Sequence, residues 1–148
     1  MEGVIFIGIQ ASGKSTFCLK KFYKTHIRLN LDMLKTRHRE NILLRACLAA
    51  KQPVVIDNTN PEPSDRRRYI ELFKTHRFRV IGYYFNTPLA TCLERNYQRL
   101  SPEKIPEVGI RGTYAKLVLP DHAEGFDQLY SVSTSNGEFK VEAWKNEV

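Results

Sequence analysis

The residues with the plainest chemical purpose lie near the start of the chain. Gly8, Ile9, Gln10, Ala11, Ser12, Gly13, Lys14 and Ser15 fit G-x-x-x-x-G-K-[ST] at every fixed position. An apolar run leads into this loop and a helical pattern follows it. Its backbone N–H groups can therefore curl around phosphate oxygens while the helix start adds positive potential. Gly8 and Gly13 stand where side chains would block that approach, and Ala11, Ser12 and Thr16 complete the expected cradle. Lys14 is expected to reach the β- and γ-phosphates of a nucleoside triphosphate, and Ser15 to offer its hydroxyl to Mg²⁺. The loop names no acceptor, because switches, ATPases and kinases all use it.

Other candidates come from residues at strand ends, which face the ligand crevice in a parallel sheet. Asp32, in Asn30-Leu31-Asp32, stands where a second strand should finish. It is either a general base for a hydroxyl acceptor, a role worth about 10²- to 10⁴-fold, or only a helix N-cap. Asp57 ends the apolar run Val54-Val55-Ile56, a form that often holds the Mg²⁺ of such sites. Asn58, Thr59 and Asn60 follow it and suit either substrate binding or an ordinary turn. Arg95 and Arg99 are spaced i, i+4, so on one helix they would share a face and could clamp a transferring phosphoryl group, or simply be solvated. Arg66, Arg67 and Arg68, and Lys20, Lys21 and Lys24, could neutralise a nucleic-acid backbone, although a solvated face suits most of them better. The four histidines show no metal-ligand spacing.

These residues need elements to position them. Apolar runs of strand length alternate with helical spacing. Strands are expected over residues 3–8, 26–30, 54–56 and 78–85, and helices over 14–24, 32–50, 64–74 and 89–99, with a further helix after Pro106. Near the end, residues 130–133 and 139–144 flank Ser135-Asn136-Gly137, the commonest kind of hairpin turn. Alternating strands and helices require crossover connections. The expected fold class is α/β: a three-layer α/β/α arrangement on a mainly parallel sheet, with a C-terminal β-hairpin.

At 148 residues, and roughly 100 to 200 residues per domain, one domain over residues 1–148 is expected. No apolar run approaches the roughly 18 residues of a membrane span, so no membrane partner is expected. Three dispersed cysteines, without a C-x-x-C pair, suit a reducing, cytoplasmic setting. Lysine and arginine outnumber aspartate and glutamate by 23 to 16, a formal charge of +7 that favours polyanionic partners.

Taken together, the segments GIQASGKST, LNLDML, VVIDNTNPEPSDRRRY, LERNYQR, IPEVGIRGTY and AEGF are collinear with, and resemble, the kinase domain of polynucleotide 5′-hydroxyl kinases, the end-healing enzymes of nucleic-acid repair. The resemblance covers roughly residues 3 to 130. It implies a P-loop kinase-type fold and transfer of the γ-phosphate of ATP, with Mg²⁺, to 5′-OH ends of DNA or RNA. It implies that Lys14 and Ser15 hold the phosphates and Mg²⁺, that Asp32 takes the proton of the 5′-hydroxyl, and that Arg95 and Arg99 lie on an arginine-bearing lid, Arg99 nearest the transition state. Asn30, Lys35, Asn58, Thr59 and Asn60 are then the expected substrate-binding residues. Leu31 and Lys35 stand where the family often has a basic residue and an arginine, and lysine lacks the planar fork that grips phosphate bidentately. No D-x-D-x-T/V phosphatase motif or ligase lysine motif is present, so such activities are expected from separate polypeptides. A kinase of a small hydroxylated metabolite, built on the same loop, base and lid, is the alternative reading, and a nucleotide-dependent binding module is a third.

Overall fold

Short runs of β-branched and aromatic residues form the strands of the computed structural model, which describes residues 1–145. β1 (Glu2–Ile7), β2 (Ile27–Leu29), β3 (Val54–Ile56), β4 (Arg79–Phe85), β5 (Gln128–Ser135) and β6 (Glu138–Ala143) make one sheet in the order β2-β3-β1-β4-β5-β6. Every neighbouring pair is parallel except β5 and β6. Val4 to Ile7 and Val54 to Ile56 are buried throughout, as a parallel sheet covered on both faces demands. The three-layer α/β/α arrangement expected from the pattern is the one observed.

The helices are α1 (Lys14–Lys21), α2 (Leu31–Leu34), α3 (Arg37–Ala50), α4 (Pro63–Thr75), α5 (Leu89–Tyr97) and α6 (Glu107–Lys116). Successive strand residues point to opposite faces. Val4 and Phe6 therefore meet Phe17 and Cys18 of α1, while Ile5 and Ile7 meet Leu44 and Leu48 of α3 and Tyr69 and Phe73 of α4. The α1 side is a cluster of rings, with Phe6 and Phe85 centroids 5.0 Å apart and Phe17 and Phe85 5.3 Å apart, each pair edge-on. Such pairs contribute about 0.5–1.5 kcal/mol beyond their buried area. A third cluster of Ile9, Ala11, Cys92 and Ile110 fastens the phosphate loop to α5 and α6.

Several boundaries differ from expectation. The helix expected over residues 32–50 is two: Lys35 adopts φ 75°, and Thr36 then caps α3 by accepting the Arg39 N–H at 3.1 Å. α1 stops at Lys21, where the Phe22 amide closes on Cys18 O. α5 stops at Tyr97, so Arg99 lies past its end rather than on the same helical face as Arg95. The cause is Asn96, only 4 % exposed, whose amide exchanges two hydrogen bonds with the Ile105 backbone at 2.6 and 2.9 Å and folds the intervening chain back. The hairpin turn is as expected, with both Asn136 (φ 52°) and Gly137 (φ 77°) in the left-handed region that a two-residue turn requires. No helix among the described residues is long and apolar enough to cross a membrane.

Candidate active site

The phosphate loop leaves β1 at the sheet's carboxyl edge. Gly8 N–H donates to Thr59 O at 3.0 Å, which ties the loop to the exit of β3. Ala11 (φ 64°) and Gly13 (φ 105°) then turn the chain. At Gly13 a Cβ would be strained and would sit 3.3 Å from the Phe139 ring, so only glycine suits the position. Phe17 donates to Gly13 O at 3.0 Å as the first helical bond, which leaves the Lys14, Ser15 and Thr16 amides at the open helix start. This is an anion cradle by construction. Lys14 is buried beneath it, its Nζ donating to Gly8 O at 2.9 Å and Ile9 O at 2.8 Å. Burial pushes its ammonium down to about 8, against the opposing pull of Asp57.

Ser15 and Asp57, both expected at the cation, are in direct contact. Ser15 Oγ donates to Asp57 Oδ2 at 3.1 Å. The carboxylate is 1 % exposed, and its Oδ1 has no hydrogen-bond partner although it belongs to the cleft wall. An orphaned buried carboxylate oxygen beside a hydroxyl is a hard-oxygen pair suited to Mg²⁺. One neighbour was not anticipated: Arg28 donates from Nε to Asp57 Oδ2 at 2.7 Å and from Nη2 to Ser15 Oγ at 3.1 Å. Its signal was a lone charge inside Ile27-Arg28-Leu29. Arg28 is in register with Val55, two residues before Asp57, so both side chains leave the same face of the sheet.

Asp32 sits in the first turn of α2, exposed and lining a cleft of about 440 Å³ that opens on Lys14, Ser15 and Thr16. It is not the helix cap. Asn30 has that role, accepting the Met33 N–H at 3.0 Å while donating to Asp57 O at 2.6 Å. Asn58 Oδ1 accepts the Leu31 N–H at 2.9 Å, and its Nδ2 donates to Glu40 Oε2 at 3.0 Å. Glu40 is wholly buried and receives further donors from Tyr69 at 2.8 Å, Arg37 at 3.2 Å and Arg68 at 3.4 Å. Burial, with the Glu40 charge beside it, pushes the Tyr69 hydroxyl up to about 12 and keeps it a donor. A buried polar network, absent from the sequence reading, thus holds the backbone that carries Asp32.

The remaining candidates divide. Arg99, Asn30, Asn58 and Thr59 line the same cleft as Asp32 and the loop. Arg95 instead donates to Ala11 O and to Thr134 Oγ1, each at 3.3 Å, and is absent from that cleft, bordering a neighbouring depression of about 330 Å³ that Gly13 and Arg99 also line. Asn60 is buried and donates to Phe6 O at 2.8 Å, so it braces β1 rather than facing the cleft. Lys35 is exposed at the end of α2 and does not line the cleft. Arg66 is fully buried and its Nη1 donates to both Glu124 carboxylate oxygens, at 2.8 and 3.1 Å, while its other nitrogens donate to Asn60 O, Pro61 O and Val118 O. The Arg-rich helix and the distant Ala-Glu-Gly-Phe segment are therefore two halves of one ion pair.

Residues 25–111, which begin after the phosphate loop, match the family model of an AAA domain. The chain is 25 % identical over 135 residues to a bifunctional polynucleotide phosphatase/kinase of Schizosaccharomyces pombe, an alignment covering 88 % of this chain and 33 % of that protein. It is 29 % identical to an L-seryl-tRNA(Sec) kinase of Methanococcus maripaludis, covering 84 % of this chain and 55 % of the relative. The chain thus spans a third to about half of these relatives. A gluconokinase from Sinorhizobium meliloti 1021 shares the fold with a TM-score of 0.59 at 16 % identity, over 89 % of this chain and 82 % of that one. The chain belongs to the AAA domain family and has the three-layer fold of P-loop kinases.

Proposed function

We propose that this domain is an ATP-dependent kinase that phosphorylates the 5′-hydroxyl of a DNA or RNA strand. The observation that carries the reading is the shared cleft: Asp32, an exposed carboxylate held by a buried network, and Arg99 both line the space above the phosphate loop. In-line transfer needs a proton acceptor on the attacking oxygen and positive charge around the moving phosphoryl group. Asp32 takes the 5′-hydroxyl proton as the O5′–Pγ bond forms and the bond from Pγ to the β,γ-bridging oxygen breaks, releasing ADP. Arg99 and Lys14 offset charge on the phosphoryl oxygens, and the open amides of α1 hold the β-phosphate. Ser15 and Asp57 would hold Mg²⁺, which when bound neutralises phosphate charge. Resemblance to the phosphatase/kinase supports a polynucleotide acceptor, whereas resemblance to the seryl-tRNA kinase favours a hydroxyl carried elsewhere on an RNA.

Labelled ATP offered with 5′-OH oligonucleotides, seryl-tRNA and sugar acids decides among acceptors. Label on the oligonucleotide 5′ end supports the proposal, and label only on another acceptor overturns it. Asp32→Asn should lower kcat about 10²- to 10⁴-fold and leave ATP affinity within about twofold. An unchanged kcat would remove the proposed base.

A further inference from the structure

We propose that Arg28 is a latch that competes with the divalent cation for Ser15 and Asp57. The inference rests on the cation position proposed above but not on the identity of the acceptor. Arg28 makes its two side-chain bonds at this site to Asp57 Oδ2 and Ser15 Oγ, so it occupies the hydroxyl of the proposed cation pair and one oxygen of the carboxylate whose other oxygen, Oδ1, is unpartnered. A divalent ion needs the hydroxyl lone pair and a carboxylate lone pair at short range, about 2.0–2.1 Å for Mg²⁺. A guanidinium on the same lone pairs blocks that approach and adds like-charge repulsion. The two partners also differ in freedom. Asp57 is 1 % exposed and fixed at the end of β3, whereas the Arg28 side chain is 34 % exposed on the edge strand β2 and can swing into solvent.

The exchange has a functional logic. While Arg28 is docked, it neutralises Asp57 and keeps the base of the loop assembled, and a cation alone must displace a charge-assisted contact to bind. A triphosphate in the cradle adds negative charge that offsets the repulsion and offers the guanidinium a new partner. Metal and nucleotide binding are thereby coupled, each favouring the other by the same factor. Asp57 Oδ1, buried and without a hydrogen-bond partner, is the carboxylate oxygen that Arg28 does not occupy.

Titration of the nucleotide-free protein with Mn²⁺, followed by the loss of the free-ion EPR signal, tests the latch without any turnover. Arg28→Met should tighten Mn²⁺ binding about tenfold or more, and Asp57→Asn should weaken it by at least as much. Equal or weaker Mn²⁺ binding in Arg28→Met, with Asp57→Asn still impaired, overturns the latch and leaves the cation site standing. Asp57→Asn binding as tightly as the unaltered protein overturns both. A second measurement needs no folded Met variant: the Arg28 Nε–H resonance, identified by its absence from Arg28→Lys, should move and exchange faster with water when Mg²⁺ saturates the unaltered protein. A resonance indifferent to Mg²⁺ also refutes the competition.

Discussion

Raising the pH from 7 to 9 should weaken ATP binding about tenfold, because Lys14 loses its proton in the free protein but not in the complex. Burial holds the Lys14 ammonium down at about 8, with Asp57 pulling it up and the Arg99 charge pushing it down. A triphosphate placed against Nζ favours the charged form and raises that value. Only charged Lys14 binds tightly, and its fraction falls from about 0.9 at pH 7 to about 0.09 at pH 9, a loss of about 1.4 kcal/mol. The nearby buried groups titrate higher, Cys18 at about 11 and Tyr69 and Tyr83 at about 12, so they do not contribute in this window. In the free protein the sign is fixed by the same depression. Folding is penalised in full below pH 8, and the penalty is relieved as pH climbs from about 8 towards the unfolded value of 10.5. Isothermal titration calorimetry in buffers of different ionisation enthalpy reads both quantities, the dissociation constant and the protons taken up. Near pH 9 about 0.9 proton should enter per ATP bound. Lys14→Arg, charged throughout, should flatten the profile. An affinity that changes less than about twofold between pH 7 and 9, with no proton uptake, would refute the role of burial at Lys14.

Two further expectations concern the networks that hold the site. Glu124→Gln leaves the fully buried Arg66 without its counter-charge and should destabilise the protein by about 3–5 kcal/mol in urea unfolding. Arg66→Met combined with Glu124→Met should recover part of that loss, and a purely additive double variant would contradict a desolvated pair. Asn58→Leu removes the acceptor for the Leu31 amide and one donor to Glu40, and should lower stability by about 1–3 kcal/mol. Phosphoryl transfer should slow with ATP affinity nearly intact, because the Asn58 side chain hydrogen-bonds Leu31, Glu40 and Tyr69 rather than the phosphate loop, and an unchanged kcat would show that α2 positions Asp32 unaided.

What could be read from the chain alone follows a physical division. The phosphate loop is legible because its chemistry is local: turn, amides, lysine and hydroxyl lie within eight consecutive residues. Val54 to Asp57 is legible for the same reason, since burial on both faces and a carboxylate at the strand exit leave a compact trace. The single helix expected over residues 32–50 went wrong at Lys35, where periodicity persists through a break that depends on the backbone of one residue. The helical face expected to be shared by Arg95 and Arg99 went wrong because Asn96 binds Ile105 across nine residues, a contact no helical repeat encodes.

The charges were the least legible part, and their placement changes what the positive balance means. Arg28 reaches a carboxylate 29 positions away, Arg66 one 58 positions away, and Arg68 one 28 positions away. Each partnership depends on strand order and helix docking, which a count of lysines and arginines does not contain. Arg66 and Arg68, expected to be solvated or to face a polyanion, instead fasten carboxylates, one joining α4 to the Ala-Glu-Gly-Phe segment and one on the network behind Asp32, and Arg28, which drew no expectation, fastens Asp57. The collinear motifs of the resemblance are therefore linked by contacts as well as by order. Ser-Asp-Arg-Arg-Arg needs Ala-Glu-Gly-Phe because a buried guanidinium without Glu124 is untenable, and Asp-Asn-Thr-Asn needs Leu-Asn-Leu-Asp because Asn58 accepts the Leu31 N–H while Asn30 donates to Asp57 O. If the acceptor is the polynucleotide proposed above, the cations available to hold it are those that these pairs leave exposed, not the total of +7.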